Sequence, residues 1–161
     1  GEAVSLCITM AGIMAFWMGL MEIATQAGIV EKMTGAMRPV LRFLFPQLAP
    51  ESKAAHYIAT NMVTNLLGLG WACTPAGLKA MEELKKIEES KGNFQVASKE
   101  MCTFLIINIS SLQLIPVNMI AYRSQYGSIS PTTIVGPAIF ATLVSTLAGV
   151  LFCKVAERTV T

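Results

Sequence analysis

Four long uncharged runs, Ala3–Met21, Tyr57–Leu78, Met101–Tyr122 and Ser128–Cys153, alternate with segments that carry all of the charge. Each run approaches or exceeds the roughly 18 apolar residues that suggest a transmembrane helix. In the first, Ala11, Ala15 and Gly19 recur at four-residue intervals, and Ala141, Ser145 and Gly149 do the same in the last. Such small-residue faces let a second helix approach closely. Glu22 and Gln26 follow the first run, and Glu22 reads either as an intramembrane carboxylate or as the point where the span meets headgroups. From Ile29 to Leu44 the apolar positions Ile29, Met33, Met37, Val40 and Leu44 oppose Glu31, Lys32, Arg38 and Arg42. This pattern predicts an interfacial amphipathic helix, divided or kinked at Pro39 and closed by Pro46 and Pro50. The last run is expected to start after Ser130–Pro131 and to bend at Gly136–Pro137.

The two middle runs are apolar but carry the wrong residues for plain spans. A helix expected from Pro50–Glu51 leads through Asn61 and Asn65, four apart and so on one face, into Gly68, Gly70, Thr74, Pro75 and Gly77. Interior glycines cost about 1 kcal/mol each relative to alanine, and proline removes a donor. The expected structure is a helix to about Leu67, an unwound piece, and a new helix capped by Thr74 with Pro75 at its first position. Leu78, Met81, Leu84 and Ile87 then mark one face of a helix whose other face holds Lys79, Glu82, Glu83, Lys85, Lys86, Glu88 and Glu89, with Gly92 placed to end it. Lys79 either snorkels or projects toward the break. The run from Met101 repeats this grammar with Asn108, Ser110, Ser111, Pro116 and Asn118. Two such interruptions predict broken or re-entrant helices forming a transporter-like site, with an internal repeat as one expectation. The alternatives are structural: asparagines bonding a neighbouring helix, and a simple kink at the second break.

Composition agrees with a membrane setting: 53% of residues are hydrophobic, 14% are charged, and the mean hydropathy is +0.57. A soluble bundle with fully buried helices is the competing class. A net charge of +2 offers no footprint for nucleic acid. Aspartate is absent, His56 is the lone histidine, and Cys7, Cys73, Cys102 and Cys153 fall one per apolar run without metal-ligand spacing. No enzyme, metal or cofactor is therefore expected, and the cysteines read as small buried hydrophobes, Cys73 being of interest because it falls in the break. The chain opens on Gly-Glu rather than methionine, so an additional N-terminal hydrophobic segment is expected.

The runs FWMGLMEIATQAGIVEKM, RPVLRFLFP, NMVTNLLGLGWACTPAGLKAMEELK, FLIINISSLQLIPVNMIAYR and IVGPAIFATLVS carry a resemblance over nearly the whole chain. They resemble the spore maturation branch of the nucleoside-recognition, or gate-domain, membrane proteins, whose relatives include parts of concentrative nucleoside transporters and of the ferrous-iron transporter. The resemblance implies a single gate-like domain over residues 1–161, an inner-membrane location in sporulating cells, work alongside a sister protein, spore maturation protein B, and a role in spore-core dehydration. Its gate motif falls on Asn61, Asn65, Gly68, Gly70, Thr74, Pro75 and Gly77, and more loosely on Asn108, Ser110, Ser111 and Pro116.

Two functions follow as expectations. One is a transporter- or channel-like component whose pathway uses the residues above, with Lys79 and Asn118, to pass a small polar solute or ion. The other is a membrane scaffold that packs on the sister protein or on itself through its small-residue faces. With four full spans, the Lys79–Lys99 segment and the tail at Lys154 and Arg158 share the cytoplasmic side. With re-entrant breaks, both basic loops fall on one side instead.

Overall fold

The structure, a computed structural model, describes residues 2–68, 70–92, 97–110 and 113–159, and these contain helices and no strands. Helix α1 (Glu2–Gln26) ends at Gly28, whose φ of 71° is a left-handed conformation suited to glycine. Helices α2 (Ile29–Ala36) and α3 (Arg38–Leu44) follow, and the amphipathic segment is indeed divided, at Met37, with Pro39 in the first turn of α3. Helix α4 (Lys53–Leu66) starts later than Pro50–Glu51 because Ser52 is the better cap, its Oγ accepting the Ala55 N–H at 3.2 Å.

Helix α4 stops where expected. Gly68 takes a φ of 80° and returns its N–H to the Asn65 carbonyl at 2.9 Å. The next helix, α5 (Gly70–Ser90), corrects the expectation for Thr74 and Pro75: it is already helical at Gly70, and Pro75 lies inside it. One proline removes one N–H donor, and an exposed ring on the outer face leaves the helix continuous. Gly92, with a φ of 85°, ends this segment as expected. Helix α6 (Lys99–Ser110) is capped by Ser98 Oγ, and helix α7 (Val117–Gln125) begins directly after Pro116. A 3-10 turn (Pro131–Ile134) leads into α8 (Val135–Thr159), in which Gly136 and Pro137 fall in the first turn and leave the helix unbroken.

Lengths decide how the segments can cross a bilayer. At about 1.5 Å per residue, α4 and α6 reach roughly 21 and 18 Å, well short of a hydrocarbon core of about 30 Å. The two middle runs are therefore not two full single-helix spans. Among the described residues one helical stretch, Pro131–Arg158, is long and apolar enough to cross a membrane, with a mean hydropathy of 2.0.

Helices α4 and α5 fold back on each other as a hairpin, whereas α7 packs on the 3-10 turn and α1. The repeated grammar of the two breaks thus yields two different geometries. The core gathers Leu44 and Phe45, Ile58 and Ala59, Ala80 and Leu84, and Phe104 and Ile107. Alanines on the hairpin faces admit this close approach, since they hold no side-chain bulk apart. Outside that core, α8 exposes Phe140, Leu147, Leu151 and Phe152, and α1 exposes Ile8, Phe16 and Ile23.

Candidate functional site at the junction of two broken helices

The ends of helices leave backbone groups without intrahelical partners, and the two breaks supply them to each other. The Leu66 carbonyl at the end of α4 accepts the Leu114 N–H from the second break at 2.8 Å. Gly68 lies so close to the Ile115 carbonyl oxygen that a Cβ there would collide with it, and such a Cβ would also sit 3.5 Å from Val117 Cγ2. Pro116, buried beside this contact, has no N–H to satisfy. The segments are joined backbone to backbone.

The asparagines divide between two tasks. Asn61 is 2% exposed, its Nδ2 donates to the Cys73 carbonyl at 2.8 Å, and a Cβ on Gly77 would approach that Nδ2 to 2.9 Å. It clasps the α4–α5 hairpin, and Gly77 provides the room. Its Oδ1 is buried without a hydrogen-bond partner among the described residues. Asn65 faces α6 instead, donating through Nδ2 to Asn108 Oδ1 at 3.4 Å, while Asn108 Nδ2 reaches the Phe104 carbonyl at 3.3 Å. One asparagine from each broken segment thus meets the other.

Beside this pair lies a cavity of about 310 Å³. Met37, which divides α2 from α3, forms one wall with Val40 and Phe43 of α3, Met62 and Leu66 of α4 a second, and Ile107 of α6 with Val150 of α8 a third. Asn65, Asn108 and Thr146 are the polar residues among its lining. Ser110 supports this corner from behind, donating to the Ile107 carbonyl at 2.7 Å with its Oγ 3.4 Å from Thr146 Oγ1. Gly149 lets α8 approach, since a Cβ there would sit 3.6 Å from Ser110 Cβ.

The structure brings together Asn65, Gly68, Asn108, Ser110 and Pro116, with Asn61 and Gly77 behind them in the hairpin. It leaves others apart. Thr74, Pro75 and Asn118 are exposed, and the exposed Lys79 stacks over the Tyr57 ring at 5.6 Å, outside the cavity. Gly70 opens α5, and Ser111 lies outside the described residues. The sequence reading missed Thr146 and the α3 wall. Thr146 is one of several small hydroxyl residues in α8, with Thr142 and Ser145 beside it, and Met37 and Val40 looked like an interfacial face, so no local signal singled out either.

Comparison with known proteins supplies the family. "Spore maturation protein A" of Bacillus subtilis (strain 168) is 43% identical over 150 residues, covering 93% of this chain and 75% of that protein. The chain belongs to the spore maturation protein A family. The 150 matched residues take in both breaks, so the junction lies within the stretch aligned with that relative. No protein-family model and no solved structure matches the chain.

The charge of this family member is arranged by end. Of its 12 Lys and Arg residues, all but Arg123 lie on α2, α3, α5 and its end, the first residues of α4 and α6, and the last turns of α8. These elements converge: Lys154 of α8 stacks over Phe43 of α3 at 5.2 Å, and Lys99, Glu100, Glu157 and Arg158 share a second cavity with Pro46 and Gln47. On α5, the hydrogen bonds that the Lys86 ammonium donates to the Glu83 and Glu82 carboxylates hold it above its usual range and hold the Glu82 carboxyl below its own. The opposite end bears the α7 turn, where Arg123 braces Ser128 Oγ at 3.1 Å.

Proposed function

We propose that this chain is a multi-pass membrane component of spore maturation that handles a small solute, with the junction of the two breaks as its working element. The observation that carries the reading is the junction itself: two interrupted helices whose breaks are joined by a backbone hydrogen bond, with an asparagine from each meeting at a cavity. Unwound backbone is tolerated at membrane depth only where protein or a water-filled cavity satisfies it. Spending two breaks at one place is costly for a merely structural bundle.

In this reading α1 and α8 cross the bilayer, α6 and α7 together form a broken crossing, and the α4–α5 hairpin re-enters from the charged side. Large exposed apolar faces on α1 and α8 support lipid contact. Tyr122, Tyr126 and Ile129, exposed at the opposite end, suit an interfacial belt. The concentration of Lys and Arg at one end makes that end cytoplasmic by the positive-inside rule. Single cysteines at Lys85 and Ser128, in a background stripped of native cysteines, test this: impermeant reagents applied outside intact cells should label Ser128→Cys and spare Lys85→Cys. The reverse pattern would refute the orientation.

The working role is tested at the junction. Cysteine at Asn65 should react with a small hydrophilic thiol reagent in the assembled protein, and candidate solutes should slow that reaction, whereas cysteine at the outward Thr74 should be indifferent to solute. Complete protection of Asn65→Cys from both sides would remove the solute-handling reading. A scaffold reading has support of its own, because Ala11, Ala15 and Gly19 on α1, and Ala141 and Ser145 on α8, are exposed rather than packed within the chain. A sister protein, spore maturation protein B, or a second copy would cover them.

A further inference from the structure

We infer that the cavity at the junction takes a small uncharged molecule with an apolar body and one amide- or alcohol-like end, and not an ion or a polyhydroxylated solute. The inference rests on reading the junction as a solute site and narrows what that solute is. Asn65 spends one Nδ2 proton on Asn108, and its Oδ1 has no partner among the described residues. Thr146 makes a 3.4 Å approach to Ser110, whose own proton is committed to the Ile107 carbonyl at 2.7 Å. One amide and one hydroxyl therefore remain to receive a ligand, and apart from these and Asn108 the lining is hydrocarbon and thioether.

An anion would find no cation among the lining residues. Lys154, seated on the Phe43 ring that helps to line the cavity, is paired to Glu157 at 2.9 Å. A cation such as Ca²⁺ needs six or more oxygen ligands, and a dehydrated ion placed here would lose most of its hydration without replacement. A sugar ring would leave hydroxyls against Phe43 and Val150 with no partner. An amide or alcohol on a short aliphatic body satisfies the polar groups and fills the apolar remainder. At about 310 Å³ the cavity is at the small end of ligand sites, which limits the body to a short one.

The test uses the full chain in lipid nanodiscs, with the native cysteines replaced and Val150→Cys as the reporter on the cavity wall. Hexanamide, hexanoate, hexylammonium and uridine are compared for slowing of a neutral thiol reagent. Hexanamide is expected to slow labelling at least tenfold at concentrations where the other three change it less than twofold. Asn65→Leu should abolish that protection and the near-isosteric Thr146→Val should weaken it several-fold, while bilayer partitioning of the probe stays the same. Equal protection by a charged probe or uridine, or full protection by hexanamide in Asn65→Leu, overturns the inference. The two readings fail separately. If Asn65→Leu impairs spore maturation but no probe protects, the ligand class is wrong and the working junction stands. If hexanamide protects in an Asn65-dependent way but Asn65→Leu spores mature normally, binding stands and the functional reading falls.

Discussion

Substituting Gly68 by alanine isolates the contact that joins the two breaks. Four described glycines have φ between 71° and 85°, so each substitution carries a similar backbone cost of about 1–2 kcal/mol for an L-residue in the left-handed region. Their surroundings differ completely. A Cβ at Gly92 or Gly127 meets nothing within 4 Å, whereas one at Gly68 drives into the Ile115 carbonyl oxygen, a backbone atom that cannot rotate away. Relief requires the second break to retreat, which lengthens the 2.8 Å bond from Leu114 N to Leu66 O. Leu66 is half-buried and Leu114 is exposed, so losing that backbone hydrogen bond costs about 0.5–1.5 kcal/mol. Gly68→Ala should therefore destabilise the protein by about 1.5–3.5 kcal/mol, against about 1–2 kcal/mol for Gly92→Ala or Gly127→Ala. Reversible unfolding in mixed micelles gives the three values, and hydrogen exchange at the Leu114 amide reports the junction directly. If Gly68→Ala costs no more than Gly92→Ala and leaves Leu114 protected, the breaks are not coupled as described.

The remaining predictions concern the hairpin, the asparagines and the charged helix. Gly77→Ala should displace the Asn61 amide from the Cys73 carbonyl and cost about 1–3 kcal/mol, and the same substitution made in an Asn61→Ala background should cost little, because the clash and the bond are already gone. A double-mutant cycle of Asn65→Leu and Asn108→Leu should return a coupling of about 0.5–1 kcal/mol, and additivity would mean that the 3.4 Å pair contributes nothing. Pro75→Ala should stabilise the hairpin by up to about 3 kcal/mol by restoring a helix donor at an exposed position, and destabilisation would restore the case for a helix start at Thr74–Pro75. The raised pKa of Lys86 makes its contribution fully present below 10.5 and lost only as pH climbs through the higher folded value, while the lowered pKa of Glu82 loses its contribution only as pH falls below about 4.5. The Lys86 cluster should thus add no slope to unfolding between pH 5 and 10, and Lys86→Met should flatten the acid limb without touching that plateau.

Local chemistry announced much of this architecture. Uncharged runs, dividing prolines and left-handed glycines are properties of short windows, so the helical class, the split at Met37, the end of α4 at Gly68 and the end of α5 at Gly92 could all be read along the chain. The start of α5 could not. A Thr-Pro pair is a good helix start in isolation, but packing against α4 and the bond from Asn61 to Cys73 keep the preceding turn helical, and tertiary contact overrides the local preference. The asparagine pair shows the same limit. A spacing of four puts Asn61 and Asn65 on one face, yet only the positions of the neighbouring helices send Asn61 to α5 and Asn65 to α6.

By itself the sequence determined where backbone must be interrupted, because proline and glycine change the local cost of a helix wherever they stand. It also determined that charge and long apolar faces would be segregated, since every apolar run is free of charge. Only the tertiary structure decided what the interruptions are for. Whether a break reverses the chain, as between α4 and α5, or lets it continue, as between α6 and α7, depends on which surfaces pack. That the Leu66 carbonyl would be capped by Leu114, and that Thr146 would line one cavity with Asn65, joins residues 48 and 81 positions apart. Such partners are set by the whole fold, since hydrogen bonds and van der Waals contacts act over a few ångströms in space and are indifferent to distance along the chain.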